Sequence, residues 1–292
     1  MTTGFVDPRQ VRRGFARVAA SYGGADFLAR EIDGRMAERL DFVRIEPDRI
    51  IDIGCSQGAS QSLLRGRYPG AQYLGVDLVP EMVQTAARPR TAWRRWLPIL
   101  RDSGTSYVAA DAARLPLKTG VAGLAWSNLL LHWLDDPLPA LQEAHRVLET
   151  GGLIMFSTLG PDTLKELRAS FSDGYVHTQR FIDMHDLGDM LVACGFADPV
   201  MDMEMITLTY DSFDALVGDL RAAGATNAMR VRRHGLAGGG VWRRAREAYE
   251  AQRVGGKLPA TFEVVYGHAW KAQPKKTADG RSVIRFDRPA AK

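Results

Sequence analysis

Three acidic residues each follow a short apolar run, and their spacing is typical of a nucleoside site. Asp52 lies in the run RIIDIG, Asp77 ends YLGVD, and Asp111 ends YVAAD. A carboxylate at a strand end can accept hydrogen bonds from both ribose hydroxyls, and Asp77 stands 19 residues beyond Gly58 of a glycine loop, where such an acid is expected. Asp111 and the backbone of Ala112 would face an adenine edge. Asp77 or Asp111 alone could be an ordinary turn or helix-capping acid.

The loop after Asp52 reads GCSQG, from Gly54 to Gly58, and joins a predicted strand to a predicted helix. Gly54 can adopt backbone conformations that other residues avoid, and Gly58 lets the helix pack closely. Ser56 occupies a position where glycine is expected, and its hydroxyl could bind a ligand or cap the helix. A dinucleotide loop would read G-x-G-x-x-G, and no third glycine stands at that offset. The loop therefore favours a ligand smaller than a dinucleotide.

Short apolar runs alternate with amphipathic segments, and these elements must position the candidate site. Helices are predicted at 58–68, 80–87, 138–148, 162–171 and 184–194. Strands are predicted at 49–53, 72–77, 106–111, 121–128 and 152–158, followed by extended segments at 199–210 and 261–270. This alternation predicts an α/β fold with a doubly wound, mostly parallel seven-stranded sheet, whose strand ends bring the acids to one crevice.

The spacing of the elements also predicts the domain organisation. About fifty residues separate the last two strands, which is too long for an ordinary loop, and they show helical periodicity. We expect N-terminal helices over 1–45 that cap the site, a core over 46–210 and 258–271, a helical insert over 211–257, and a flexible tail over 272–292.

Composition predicts a soluble, cytoplasmic protein. Of 292 residues, 46% are hydrophobic and 25% charged, and no apolar run reaches the length of a membrane span. The arginine-rich N-terminus has no apolar core, which argues against a secretory signal and favours an amphipathic helix over a transit peptide. The two cysteines, Cys55 and Cys194, cannot form a disulfide framework, and no spacing of Cys and His predicts a metal site.

The glycine loop, the ribose acid and the Asp-Ala pair, in this order, resemble the class I S-adenosylmethionine-dependent methyltransferases. This resemblance implies S-adenosylmethionine as the cofactor. The residues that it places around the cofactor are Asp52, Gly54, Ser56, Gly58, Asp77, Leu78, Met82, Asp111, Ala112 and Asn128.

Later stretches resemble the malonyl-acyl-carrier-protein O-methyltransferases of bacterial biotin synthesis. The resemblance covers most of the chain outside the tail, and Ser56 departs from the glycine usual in that family. It implies methyl transfer to the free carboxylate of a malonyl thioester on acyl carrier protein or coenzyme A, which primes pimeloyl and biotin synthesis. The stretches are WSNLLLHW (126–133), STLGPDTLKELR (157–168), GATNA (224–228), LPATFEVVYGHAW (258–270) and the SY pair at Tyr22.

Carboxyl methylation does not require a general base, since a carboxylic acid with a pKa near 4 is already ionised at neutral pH. Catalysis can consist of aligning the reacting atoms and excluding water, while a cation or hydrogen-bond donors hold the acceptor. We expect Tyr22, Asn128, His132 and Trp133 near the methyl group and the acceptor. The alternative for His132 and Trp133 is packing after the fourth strand.

The net charge is +4, and two segments concentrate the positive charge. Residues 88–101 carry five arginines and no acid, and residues 221–254 carry eight arginines against two glutamates. Basic patches beside a site mouth would steer an acidic acyl carrier protein, with Arg232 and Arg233 as docking candidates. Either arginine could instead bind the malonyl carboxylate, and a basic face that only contacts solvent is the plain alternative.

Three other functions stay open at this point. Complex I assembly factors that act as protein arginine hydroxylases share similar stretches. The arginines are also compatible with an RNA methyltransferase, although no N-P-P-[YF] motif follows the fourth strand and no RNA-binding module is present, so no nucleic-acid partner is expected. Ser56 favours a non-catalytic scaffold with the same fold.

Overall fold

The computed structural model describes residues 5–88, 104–233, 235 and 238–273. Within them, seven strands form one sheet in the order β3-β2-β1-β4-β5-β7-β6. β1 to β5 are parallel to one another, and β7 lies between β5 and β6 and is antiparallel to both. The prediction of a doubly wound, mostly parallel sheet is confirmed. The strands are β1 (Arg49–Ile53), β2 (Gln72–Asp77), β3 (Thr105–Ala109), β4 (Ala122–Ser127), β5 (Leu148–Leu159), β6 (Ala197–Tyr210) and β7 (Leu258–Trp270).

The described helices cover both faces of the sheet and its carboxyl edge. They are α1 (Pro8–Val18), α2 (Phe27–Glu38), α3 (Ser60–Arg67), α4 (Pro80–Ala86), α5 (Leu138–Val147), α6 (Lys165–Ala169), α7 (Met184–Ala193), α8 (Phe213–Ala222) and α9 (Gly239–Glu250). α1 begins where Asp7 caps it by accepting a hydrogen bond from the Arg9 amide at 3.1 Å, followed by Pro8 in the first turn. None of the described helices has the length and apolar character needed to cross a membrane.

The sheet is buried between two apolar clusters. All six residues of β4 are buried, as expected of a central strand covered on both faces. Trp126 of β4 packs in the cluster that contains α2, α8 and α9, while Ala125 packs in the cluster that contains α5 and α7. The successive residues of β4 therefore join both layers of the core and hold the strand ends in place.

Two predicted elements end earlier or begin later than the sequence pattern suggests. β3 ends at Ala109, so Asp111 lies in the turn after the strand, where its carboxylate accepts a hydrogen bond from the Ala113 amide at 2.9 Å. α6 begins only at Lys165, because Leu164 has a left-handed backbone with φ of 53°. Both differences come from turn conformations that hydrophobic periodicity does not reveal.

Two predicted segments extend beyond the residues that the structure describes. In the basic run 88–101, only Arg88 is described, and the tail 272–292 is described only to residue 273.

Between β6 and β7, α8 and α9 pack together through Phe213 and Tyr249, whose ring centroids are 5.6 Å apart. α1 and α2 precede the sheet in sequence and contact α4 and α3, respectively.

Candidate functional site

A cavity of about 440 Å³ opens at the carboxyl ends of β1, β2 and β4, under α1 and the start of α2. Its size is that of a small-molecule site. Four residues predicted for the site lie outside the lining: Asp52, Gly58, Arg232 and Arg233. The cavity brings together the other predicted site residues, which are Tyr22, Gly54, Ser56, Asp77, Leu78, Met82, Asp111, Ala112, Asn128, His132 and Trp133.

The glycine loop has a left-handed backbone at three positions. The φ angles are 82° at Gly54, 48° at Ser56 and 71° at Gly58. A Cβ atom on Gly54 would lie 3.0 Å from Leu130, and one on Gly58 would lie 2.5 Å from the Tyr107 hydroxyl. Glycine is therefore needed at both ends of the loop. The left-handed backbone at Ser56 has a free-energy cost of about 1 kcal/mol, because this residue carries a side chain.

The Asp77 carboxylate connects the glycine loop to the first turn of α4. Its Oδ2 accepts from the Ser56 amide at 2.9 Å, and its Oδ1 accepts from the Val79 amide at 2.8 Å. Burial raises the pKa of Asp77, while these two amides favour the ionised form. Each carboxylate oxygen has a second lone pair, so the group can still accept hydrogen bonds from a diol in the cavity.

Asp52 lies behind the cavity wall and is 1% exposed. The Tyr73 hydroxyl donates to its Oδ2, and its Oδ1 has no hydrogen-bond partner among the described residues. Burial raises the pKa of Asp52 to about 8, so its protonated form predominates at neutral pH. Asp52 is therefore buried behind the glycine loop and outside the cavity lining, and its direct contact with a cofactor stays a prediction.

A second buried acid, which the sequence analysis missed, lies beside this loop. Asp33 of α2 accepts hydrogen bonds from the Ser60 hydroxyl at 3.1 Å and the Trp126 indole at 2.9 Å. Burial raises its pKa to about 6. The only sequence signal was an acid on the apolar face of an amphipathic helix. Asp33 joins α2 to both α3 and β4.

The turn after β3 contributes a different part of the wall. Asp111 is exposed, while the following residue, Ala112, is 8% exposed. Leu78 is 40% exposed, and Met82 is buried at 1%. A flat apolar ring can therefore lie against Leu78 while the turn offers polar backbone groups to its edge.

Tyr22 and Asn128 lie in the wall on two different segments. Tyr22 is hydrogen-bonded to the Ser56 side chain, and burial raises its pKa to about 12, so it stays protonated at neutral pH. Asn128 donates from Nδ2 to the Ala29 carbonyl at 2.8 Å and accepts at Oδ1 from the Ser157 hydroxyl at 2.6 Å. Asn128 therefore holds α2 against the end of β5 as well as lining the cavity.

His132 and Trp133 form a ring-lined part of the wall. The His132 Nδ1 lies 3.2 Å from the Thr158 hydroxyl, and burial lowers the pKa of His132 to about 3. The imidazole is therefore neutral at pH 7. Trp133 packs edge-on against Phe15 of α1, with ring centroids 5.1 Å apart. This contact closes the wall between α1 and the segment after β4.

Arg12 of α1, which the sequence analysis did not select, is the only arginine or lysine among the described residues that line the cavity. Its side chain is exposed and forms no ion pair with another described residue. The amphipathic pattern of α1 was the available signal, because Arg12 follows Val11 and precedes Phe15 on the cavity face. The other charged side chains of the lining are the acids Asp26, Asp77, Asp111, Asp135 and Asp136.

Arg232 and Arg233 lie on the loop after α8 and are not part of the cavity lining. Arg232 has an Nη2 atom 3.6 Å from Asp7 Oδ2 and donates from Nη1 to the Met229 carbonyl at 2.9 Å. The guanidinium carbon of Arg233 lies 5.2 Å from the ring centroid of Tyr175. Arg232 thus anchors the start of α1, and a docking role for either residue stays a prediction.

The sheet order, the glycine loop and the acid that ends β2 together define a class I methyltransferase fold. A family model described as "Methyltransferase domain" matches residues 51–156. The YcgJ protein from Bacillus subtilis shares the fold with a TM-score of 0.54 at 17% identity, over 84% of this chain and 99% of that chain. The described residues contain no cluster of three or more potential metal ligands.

Two curated relatives define the family more closely. The malonyl-[acyl-carrier protein] O-methyltransferase of Nitrosospira multiformis is 49% identical over 280 residues, which cover 93% of this chain and 91% of the relative. The protein of the same name from Laribacter hongkongensis is 49% identical over 287 residues, covering 97% and 96%. The chain belongs to the malonyl-[acyl-carrier protein] O-methyltransferase family, and the family predicted from the sequence motifs is confirmed.

Proposed function

We propose that this protein transfers a methyl group from S-adenosylmethionine to the free carboxylate of a malonyl thioester carried by acyl carrier protein. The observation that carries the proposal is the composition of one cavity. Its lining combines the acids and glycine loop of an adenosine site with uncharged rings and, among the residues that the structure describes, a single guanidinium, that of Arg12. Family membership supports the same acceptor.

The residues present fit S-adenosylmethionine. The Asp77 carboxylate has acceptor capacity for the ribose hydroxyls, and the turn at Asp111 and Ala112 can meet the adenine edge. Gly54 lets the loop backbone pass close to Leu130 in the cavity wall, where a Cβ atom would lie 3.0 Å from that side chain. When bound, this cofactor supplies an electrophilic methyl group on a positively charged sulfur.

The acceptor carboxylate needs a partner, and two side chains of the lining can donate to it. Arg12 carries a permanent positive charge, and the Tyr22 hydroxyl stays protonated because its pKa is about 12. Neutral His132 cannot provide a charge at pH 7. The side chain of Arg12 is exposed, so its attraction for a carboxylate is moderate. A moderate attraction suits the reaction, since the ester product is uncharged and an over-tight ground state would slow its formation.

The remaining lining residues exclude water and restrict the acceptor. Phe15 and Trp133 close one side, with Tyr22 6.2 Å from Phe15 between ring centroids. Because the malonyl carboxylate is ionised at neutral pH, these residues need only align it with the methyl group and keep water away. No proton has to be removed by the protein.

Intact-mass spectrometry of malonyl-acyl carrier protein, incubated with the purified protein and S-adenosylmethionine, tests the proposal. Acetyl- and succinyl-acyl carrier proteins serve as controls. A mass gain of one methylene on the malonyl form alone supports the proposal. No gain on the malonyl form, with cofactor binding intact by calorimetry, would refute this acceptor and leave the hydroxylase and RNA substrates as the next to be assayed.

A further inference from the structure

α1 carries a row of exposed arginines on its solvent side, which adjoins the cavity-lining side at Arg9 and turns away from it toward Arg17. Arg9, Arg13 and Arg17 follow one another at intervals of four residues, so they form one stripe along the helix. We call these three residues the arginine stripe. All three are exposed, and none forms an ion pair with another described residue. α1 itself contains no aspartate or glutamate, so nothing on the helix neutralises the stripe.

The arginine stripe is held in a fixed position relative to the cavity. Asp7, before α1, donates from its amide to the Ala228 carbonyl at 2.8 Å, and the Val6 amide donates to the Asp135 carboxylate at 2.8 Å. Gln57 of the glycine loop donates to the Ala19 carbonyl at the other end of the helix. Both ends of α1 are therefore bonded to segments that line or flank the cavity.

We propose that the arginine stripe is the docking surface for the acyl carrier protein, which lays an acidic helix along α1 while its thioester enters the cavity. This inference rests on the proposed function. The stripe extends over about 12 Å at the rise of an α-helix, and acids at four-residue spacing on a partner helix would face it. Arginine suits such a contact because its guanidinium binds a carboxylate with two parallel hydrogen bonds. Since Arg12 lines the cavity from the same helix, docking on α1 delivers the malonyl carboxylate beside it.

This location differs from the arginine-rich segment 221–254. Arg232 in that segment is engaged by Asp7, and Arg246 is paired with Asp214 at 2.6 Å. Arg243 and Arg244 are exposed on α9, which packs against α6 and α8 and contributes no residue to the cavity lining. They offer a matched control, together with exposed Arg44.

The experiment compares the triple variant R9E/R13E/R17E with the control R44E/R243E/R244E, which changes the net charge by the same amount. The kcat/KM is measured for malonyl-acyl carrier protein and for malonyl-pantetheine, a small thioester without the carrier. We expect the ratio of these two kcat/KM values to fall about 10- to 100-fold in the stripe variant and to stay within twofold in the control. The difference should shrink when salt rises from about 10 mM to about 1 M, because the Debye length falls from about 30 Å to about 3 Å. Two controls exclude misfolding as the cause of the fall in this ratio. One is calorimetry of S-adenosylmethionine binding to the variants, and the other is the milder variant R9Q/R13Q/R17Q.

Direct binding separates failure of docking from failure of the proposed function. Fluorescence anisotropy of labelled acyl carrier protein is read with the wild type and both variants, independently of methyl transfer. Weaker binding only in the stripe variant supports docking, even if the wild type methylates no malonyl thioester. The inference is overturned if all three proteins bind the carrier equally, or if both variants lose the same amount of affinity for it. It is also overturned if the stripe binds single-stranded RNA more tightly than the carrier.

Discussion

The Asp33 carboxylate of α2 accepts a hydrogen bond from the indole of Trp126 in β4, with 2.9 Å between Oδ1 and Nε1. The same Oδ1 accepts from the Ser60 hydroxyl at the start of α3. One buried oxygen atom thus joins α2 to the centre of the sheet and to the helix after the glycine loop. The cap over the cavity is therefore part of the folded core.

Asp33→Asn should remove a pH dependence of stability. Burial raises the folded-state pKa of Asp33 from 3.8 to about 6, so the folded protein binds more protons than the unfolded chain between these values. Stability from this group is therefore highest below pH 4 and is lost as pH rises through 6, by about 3 kcal/mol. Asparagine keeps Oδ1 for both donors and carries no charge. The free energy of unfolding, measured in urea at pH 4 and pH 7, should fall less between these pH values in the variant than in the wild type. An equal fall in both proteins would contradict the shifted pKa.

Asp33→Ala should lower the free energy of unfolding by about 1–3 kcal/mol at either pH, because Trp126 and Ser60 lose their acceptor.

Ser56→Gly should be more stable than Ser56→Ala by about 1 kcal/mol, since only glycine adopts a φ of 48° without strain. Both variants remove the hydroxyl that bonds Tyr22, so the comparison isolates the backbone. Denaturant unfolding of the two proteins measures the difference. An alanine variant equal to or more stable than the glycine variant would show that the loop relaxes out of the left-handed conformation.

Asp77→Ala should weaken S-adenosylmethionine binding about 100-fold. The change removes the acceptor assigned to the ribose and leaves the Ser56 and Val79 amides without their carboxylate partner, each worth about 1–3 kcal/mol. Calorimetric titration measures the dissociation constant, with Arg44→Ala as an exposed control outside the cavity. Unchanged affinity would show that the ribose assignment is wrong.

Arg12→Ala should lower kcat/KM for malonyl-acyl carrier protein about 10- to 100-fold, as expected when a hydrogen bond between charged groups is lost. Arg12→Lys should recover part of the activity, because it keeps the charge without the two-pronged geometry. The dissociation constant for S-adenosylmethionine is measured in parallel and should change less than twofold. A loss of cofactor affinity with unchanged use of the malonyl substrate would place Arg12 at the carboxylate of the cofactor instead.

The arrangement of sheet and glycine loop was predictable from the sequence because it depends on local patterns. The runs before Asp52 and Asp77 have the apolar character of buried parallel strands, and each acid follows its run. The carboxyl ends of parallel strands meet at one edge, so these acids had to approach each other. Asp111 was harder to place, because the turn that holds it depends on a hydrogen bond to the Ala113 amide.

The sequence by itself determined the fold class, the glycine loop and the family, since each is encoded in periodicity or in contiguous motifs. Only the tertiary structure decided which of the described arginines reaches the cavity, because a run of arginines carries no information about the direction of each side chain. Packing of α1 over α4 places Arg12 in the lining, whereas Asp7 holds Arg232 outside it. The contact between Asp33 and Trp126 spans 93 residues of chain and arises from the same packing, which no local pattern specifies.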